Sequence, residues 1–171
     1  MKIMAASDIH GSAGWAARII ETYKAEGADK LLLLGDILYH GPRNDLPEDY
    51  APKKVIEILN REKDNIIAVR GNCDAEVDQQ VLEFPIMAES MWLTSGTTRI
   101  YATHGHHIDP TNLPTFLGKG DILLRGHTHV AEDIMLGQVR SLNPGSPSIP
   151  KDGSPPSYII IEDGVAEIKR F

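Results

Sequence analysis

Five short segments rich in aspartate, histidine or asparagine each stand at the end of a short apolar run of the chain. In the first half of the chain, apolar runs alternate with helical patterns, which predicts parallel strands joined by crossover helices. Because the carboxyl ends of such strands line a common crevice, we expect the segments to converge in the fold. The five segments are Asp8-Ile9-His10, Gly35-Asp36, Gly71-Asn72-Cys73-Asp74, Thr103-His104-Gly105-His106 and Gly126-His127-Thr128-His129.

The first half of the chain has the pattern of a βαβαβ unit. The 3.6-residue spacing of Trp15, Ile19 and Tyr23 predicts a helix that ends at a glycine cap, Gly27. Asp74 is expected to begin a short third helix as its N-cap. The predicted strands cover 2–8, 30–36 and 65–71, and the predicted helices cover 13–26, 51–63 and 74–82.

The second half is predicted to be rich in strands. Asp163-Gly164 is a strong two-residue hairpin signal between two alternating runs. Too few residues follow the proline-rich loop 144–156 for a second domain, so we expect one domain over residues 1–171. The predicted elements are two or three strands within 84–104, a short helix over 112–119, and strands over 121–127, 138–143, 157–162 and 165–170.

Composition excludes several classes of protein. The net charge of −7 argues against binding long nucleic acid by bulk charge. No apolar stretch approaches the ~18 residues that a membrane helix needs, so no membrane association is expected. The single cysteine excludes an internal disulfide and favours a reducing compartment, which predicts a cytoplasmic protein.

The residue types of the five segments suit metal ions. Asp8 and His10 are two residues apart, and in extended backbone such residues point to the same side. His127 and His129 have the same spacing. Imidazole, carboxylate and amide donors together suit Mn²⁺, Fe²⁺, Co²⁺, Ni²⁺ or Zn²⁺. The donors are too numerous for one tetrahedral ion, and two ions sharing a carboxylate would use them all.

The order D-x-H, G-D, G-N, T-H-G-H, G-H-T-H resembles that of the calcineurin-like metallophosphoesterases, most of all the small bacterial phosphodiesterases of the YfcE type. The resemblance extends to HGPRN at 40–44 and NPGSPSIPK at 143–151. It implies a four-layer α/β/β/α sandwich of two mixed β-sheets flanked by helices. It also implies a first ion on Asp8, His10 and His129, a second ion on Asn72, His104 and His127, and Asp36 as the bridge between them.

The resemblance implies a dinuclear-metal phosphodiesterase, a phosphoric ester hydrolase in which a metal-bridging hydroxide attacks phosphorus in line with the leaving group. The expected cofactors are two divalent ions, Mn²⁺ first, with Fe, Ni, Co and Zn as alternatives. Two dications with two carboxylates and a hydroxide leave a formal charge of about +1, which a phosphodiester monoanion neutralises. The expected partner is therefore a small phosphodiester, and a homo-oligomer stays open because the apolar stretch 84–93 suits either core or interface.

The group that protonates the leaving alcohol stays open at this point. Cys73 stands where many members of the superfamily carry a histidine with that role. Cys73 and His40 are the candidate proton donors, and Arg43 is a candidate phosphate contact. We expect the enzyme to lack a strong general acid and to favour good leaving groups.

Three other functions fit the same motifs less well. A protein-interaction scaffold, like retromer's Vps-type subunit, has an incomplete metal pocket, whereas all seven positions here carry competent ligands. A nuclease like the Mre11 branch is disfavoured by net acidity and by Cys73. A phosphomonoesterase is disfavoured by the formal charge count, since a monoester dianion leaves the centre negative.

Overall fold

Two five-stranded β-sheets pack face to face in the structure, a computed structural model that describes residues 1–171. The helices are α1 (Ala13–Glu26), α2 (Pro52–Asn60) and α3 (Glu76–Gln79), with a 3₁₀ turn at Lys63–Asn65. The strands are β1 (Ile3–Ala6), β2 (Lys30–Leu33), β3 (Ile66–Ala68), β4 (Ser90–Ser95), β5 (Thr98–Thr103), β6 (Ile122–Leu124), β7 (Ala131–Leu136), β8 (Val139–Pro144), β9 (Ser157–Glu162) and β10 (Val165–Arg170).

Both sheets are mixed, as expected. The first has the order β10-β9-β1-β2-β3, in which β1, β2 and β3 are parallel and the hairpin β9-β10 is antiparallel. The second has the order β4-β5-β6-β8-β7, in which β5, β6 and β8 are parallel between antiparallel edge strands. Each sheet therefore directs the carboxyl ends of three parallel strands toward one edge, where loops can meet.

Strand β1 shows how the layers are built. Its alternate residues face opposite sides, so Met4 joins the core beneath α1 and α2 whereas Ile3 joins the core between the sheets. On the far side of the second sheet the turn-rich segment 105–120 takes the outer position, and Phe116 packs there on Tyr101 with ring centroids 5.0 Å apart. The two mixed sheets and flanking helices of the expected architecture are confirmed.

Helix α1 has the predicted bounds because both of its ends are capped. The Ser12 hydroxyl accepts a hydrogen bond from the Trp15 N–H, and Gly27 has the left-handed conformation (φ 62°) that ends the helix. Ile19 and Tyr23 are buried against the first sheet, as the spacing predicts. None of the helices combines the length and apolarity that a bilayer span requires.

Other predicted elements differ from the structure. Strand β7 was not predicted because it is an exposed edge strand without an alternating apolar face. The helix predicted over 112–119 is absent, and turns replace it. The predictions over 51–63 and 74–82 were too long, and Ala75 rather than Asp74 is the N-cap of α3.

Glu26 links the end of α1 to three other parts of the chain. Its carboxylate accepts hydrogen bonds from the Tyr158 hydroxyl (2.8 Å), Lys169 (3.0 Å) and Lys2 (3.1 Å). The bond from Tyr158, followed by that from Lys169, lowers the pKa of Glu26 to about 2 from its ordinary 4.5. The carboxylate therefore stabilises the fold above pH 4.5, and this stabilisation is lost as the pH falls toward 2.

We expect Glu26→Gln to lower the free energy of unfolding by about 1–2 kcal/mol at pH 7, since partial exposure screens these contacts. The difference from wild type should narrow between pH 4.5 and pH 2. Urea unfolding across this range measures both effects. Glu21→Gln, on an exposed position of the same helix, is the matched control and should change stability by less than about 0.5 kcal/mol. A pH-independent difference would contradict the prediction.

Candidate metal centre

The five polar segments meet at one place, where strands of both sheets end. Asp8, Asp36 and Asn72 follow the three parallel strands of the first sheet. His104 follows β5 of the second sheet, and the 127–129 segment follows β6. Side chains from both sheets thus face a common pocket, as the sequence analysis expects.

One group of ligand-type atoms surrounds the carboxylate of Asp8. Its Oδ1 lies 3.3 Å from His129 Nε2 and 3.6 Å from His10 Nε2. Both imidazoles use Nδ1 toward backbone carbonyl oxygens, His10 toward Tyr39 and His129 toward Ile149, each at 2.7 Å. A carbonyl accepts only a donated proton, so the proton of each neutral ring is on Nδ1 and its lone pair is on Nε2. These two Nε2 atoms are 3.1 Å apart, which favours a cation near them.

A second group surrounds Asp36. His104 donates from Nδ1 to the Leu34 carbonyl at 2.6 Å, and its Nε2 lies 3.5 Å from Asp36 Oδ2 and 3.0 Å from Asn72 Oδ1. Among the predicted histidine and aspartate ligands, only His127 belongs to none of the close groups of ligand atoms. Its ring centroid is 5.1 Å from that of His104, and its side chain lines the same pocket.

Buried negative charge at this site has no lysine or arginine as an ion-pair partner. Asp8, Asp36 and Asp74 are at most 2% exposed, and none of them forms an ion pair with lysine or arginine. Asp8 Oδ1 is buried without a hydrogen-bond partner. Burial raises the pKa of Asp8, but His10 and His129 hold it well below its ordinary value when their rings are protonated. Two buried carboxylates among imidazole lone pairs fit divalent metal ions.

The backbone at the site has an unusual conformation. Eight non-glycine residues have a positive φ, and five of them are predicted ligands. Such conformations cost free energy and persist where the surrounding structure enforces them, typically at functional sites. The extended backbone assumed for the ligand pairs in the sequence analysis is therefore wrong, because both members of each pair are left-handed. The five are Asp8, His10, Asp36, His127 and His129, with φ between 50° and 69°.

Two glycines allow the close approach of backbone to the carboxylates. A Cβ at Gly71 would lie 2.1 Å from Asp36 Oδ1, and a Cβ at Gly126 would lie 1.9 Å from the Ser7 hydroxyl and 2.7 Å from Asp8 Oδ2. No side chain fits at these distances. The glycines before Asn72 and His127 are thus part of the site.

Asp74 positions two of the loops and was not assigned this role from the sequence. Its carboxylate accepts backbone N–H groups of Asp36 (2.8 Å), Ile37 (2.9 Å) and Gly71 (2.7 Å). It therefore holds the loop of Asp36 against the loop of Asn72. The sequence signal was present, because Asp74 ends one of the five segments, but helix capping was the simpler interpretation.

The proline-rich loop after β8 supports Asp8. Ser146 and Ser148 both donate to the Asp8 carbonyl oxygen, at 2.7 and 3.0 Å. Asn143 donates to the carbonyl oxygen of Gly126 at 2.8 Å, which holds the loop of His127. No role was assigned to these serine hydroxyls from the sequence, because serine in a proline-rich segment is ordinary loop composition.

The pocket at the site has a volume of about 390 Å³. Of the two candidate proton donors and the candidate phosphate contact, Cys73 and Arg43 line this pocket and His40 does not. The backbone N–H of Cys73 donates to Asp36 Oδ1 at 2.8 Å. Burial and the charge of Asp36 raise the pKa of the Cys73 thiol to about 12. The ring of His40 packs instead between those of Tyr39 and Tyr50, with centroids 4.7 and 5.3 Å away.

Asp74→Asn should lower the free energy of unfolding by about 2–3 kcal/mol, because an amide NH₂ cannot accept one of the three buried backbone N–H groups. Urea unfolding of the metal-free protein measures this effect. Asp78→Asn is the matched control, because the Asp78 carboxylate accepts only the N–H of Ala75 at the exposed start of α3. Loss of this hydrogen bond should lower the free energy of unfolding by less than about 1 kcal/mol. Equal losses in the two variants would rule out the positioning role of Asp74.

Comparison with known proteins agrees with this geometry. The model of the calcineurin-like phosphoesterase superfamily domain matches residues 1–163. The phosphodiesterase YfcE of Escherichia coli (strain K12) is 49% identical over 168 residues, which cover 98% of this chain and 91% of that protein. The solved structure of YfcE from E. coli matches with a TM-score of 0.92, over 99% of this chain and 93% of that chain.

A more distant structure shares only the fold. Vacuolar protein sorting 29 from Cryptosporidium parvum matches with a TM-score of 0.60 at 18% identity, over 98% of this chain and 95% of that chain. The match of the family model to nearly the whole sequence, together with the 49% identity to one relative, is decisive. The chain belongs to the calcineurin-like phosphoesterase superfamily.

Proposed function

We propose that this protein is a dinuclear-metal phosphodiesterase that cleaves a small phosphodiester by in-line attack of an activated hydroxide on phosphorus. One observation carries the proposal: two buried carboxylates converge with imidazole nitrogens and form no ion pair with lysine or arginine. The superfamily implies divalent metal ions, and the phosphodiesterase name of the 49% identical relative supports the reaction class.

In this proposal each ion has its own ligands. Asp8, His10 and His129 would hold the first ion, Asn72, His104 and His127 would hold the second, and Asp36 would be shared by both. The donors are oxygen and nitrogen, which suits Mn²⁺ and also Fe²⁺, Co²⁺, Ni²⁺ or Zn²⁺. When bound, the ions supply positive charge that lowers the pKa of water and stabilises charge on the phosphoryl oxygens.

The residues of the chain orient this chemistry. The carbonyls of Tyr39, Leu34 and Ile149 fix the imidazole tautomers, so that the Nε2 atoms face the pocket as acceptors. Arg43 lines the same pocket, which supports a contact between its guanidinium and a phosphate oxygen of the substrate. No nucleophilic side chain is required. The free thiol of Cys73 is compatible with the reducing cytoplasm that we propose as its location.

Metal-stripped protein should hydrolyse bis(p-nitrophenyl) phosphate only after Mn²⁺ is added. Asp36→Asn should reduce kcat/KM at least about a hundredfold, because it removes the charge shared by the two ions. Both effects are measured by monitoring the absorbance of the released p-nitrophenolate.

The matched control is Asp64→Asn, an exposed aspartate before the amino end of β3, which should retain wild-type turnover. If the folded wild-type protein shows no turnover with Mn²⁺, Fe²⁺, Ni²⁺, Co²⁺ or Zn²⁺, the hypothesis that it is an enzyme is overturned. That result would favour the scaffold alternative of the same fold.

Leaving-group dependence tests the absence of a strong general acid. In a series of aryl methyl phosphates, kcat/KM should fall steeply as the pKa of the leaving phenol rises, because a well-placed acid is worth ~10²–10⁴-fold for poor leaving groups. Cys73→His should raise the rate for the poorest leaving group by about tenfold and leave the best nearly unchanged.

Cys73→Ala is the companion variant, and it should change kcat/KM for the best leaving group by less than about threefold. Complete loss of activity in Cys73→Ala would show that the thiol is essential. A rate nearly independent of the phenol pKa in the wild type would show that another group protonates the leaving alcohol.

A further inference from the structure

Two cationic side chains line the metal pocket from loops far apart in sequence. Arg43 belongs to the loop that follows Asp36, and Lys151 to the loop that follows β8. The backbone N–H of Lys151 donates to the carbonyl oxygen of His129 at 3.1 Å. This bond holds the backbone of Lys151 beside a proposed ligand.

Neither cation has a partner of opposite charge. Four other arginines, Arg70, Arg99, Arg125 and Arg140, each pair with a carboxylate. Arg43 and Lys151 are exposed and form no ion pair, although Asp45 and Asp152 are close to them in sequence. In a chain of net charge −7, two unpaired cations at the same pocket create a local field that attracts anions.

The rest of the pocket offers little to a hydrophobic group. Of the eleven lining residues only Cys73 and Pro42 are largely apolar, and none is aromatic other than histidine. A nucleobase or a lipid chain would therefore find little apolar surface to pack on. The volume of about 390 Å³ is in the range of small-molecule sites, so recognition rests on charge and hydrogen bonds.

We propose that Arg43 and Lys151 form an anion subsite beside the metal centre, and that the substrate is a small phosphodiester bearing a second anionic group, a carboxylate or a phosphate, on one of its alcohols. This inference rests on the proposed function. Two ions with their carboxylates and hydroxide are neutralised by the phosphodiester monoanion itself, so a second anion requires additional positive charge. Arg43 and Lys151 supply it.

The test compares two esters that differ only in that charge: 4-nitrophenyl 4-carboxyphenyl phosphate and 4-nitrophenyl 4-carbamoylphenyl phosphate. With Mn²⁺ present, the wild type should prefer the carboxylate ester by about fivefold in kcat/KM, as expected for contacts with exposed cations. The preference should fall to about one in the Arg43→Gln/Lys151→Gln variant. It should also shrink in 1 M salt, where the screening length is only ~3 Å.

The matched control is Arg61→Gln/Lys119→Gln, which changes net charge equally at two exposed positions outside this pocket and should keep the preference. Equal kcat/KM for the two esters in the wild type would overturn the inference and leave the proposed function intact. A preference that survives in the Arg43→Gln/Lys151→Gln variant would also overturn it. Failure to hydrolyse either ester or bis(p-nitrophenyl) phosphate would overturn the proposed function, and the inference with it.

Discussion

Two buried carboxylates that form no ion pair with lysine or arginine are the main physical constraint on this structure. Asp8 and Asp36 lie where strands of both sheets end, among imidazoles whose protons are directed to backbone carbonyls. Burial of such charge is costly unless a cation compensates it. Metal affinity and folding are therefore coupled, since an ion that binds only the assembled ligands stabilises the folded state.

The arrangement of these ligands depends on contacts that are distant in sequence. The Asp8 carbonyl is held by Ser146 and Ser148, and the backbone of Asp36 is held by the carboxylate of Asp74. These bonds keep ligand residues in left-handed backbone that an isolated segment would leave. No single loop forms the site, because each ligand conformation is stabilised by a residue of another loop.

The sequence predicted the parts of the fold whose signals are local. The bounds of α1 follow from Ser12 and Gly27, and the hairpin β9-β10 follows from Asp163-Gly164. Strand β7 has no such signal, since an exposed edge strand needs no apolar face. At the site, residue type and strand-end position predicted which side chains converge. Backbone conformation and the contacts of Asp74 depend on tertiary packing, so they could not be predicted from residue type.

The proposed function assigns chemistry and specificity to different parts of this molecule. The proposed ligands follow buried parallel strands and are fixed by hydrogen bonds within the fold, which gives the metal centre a rigid geometry. Arg43 and Lys151 extend from exposed loops, where substitution costs little stability. Charge on these loops can therefore change without disturbing the centre, because neither side chain pairs with a ligand. Under the proposed function, the metals would hold the phosphodiester group, and the loop charges would select among substrates by the group attached to the phosphate.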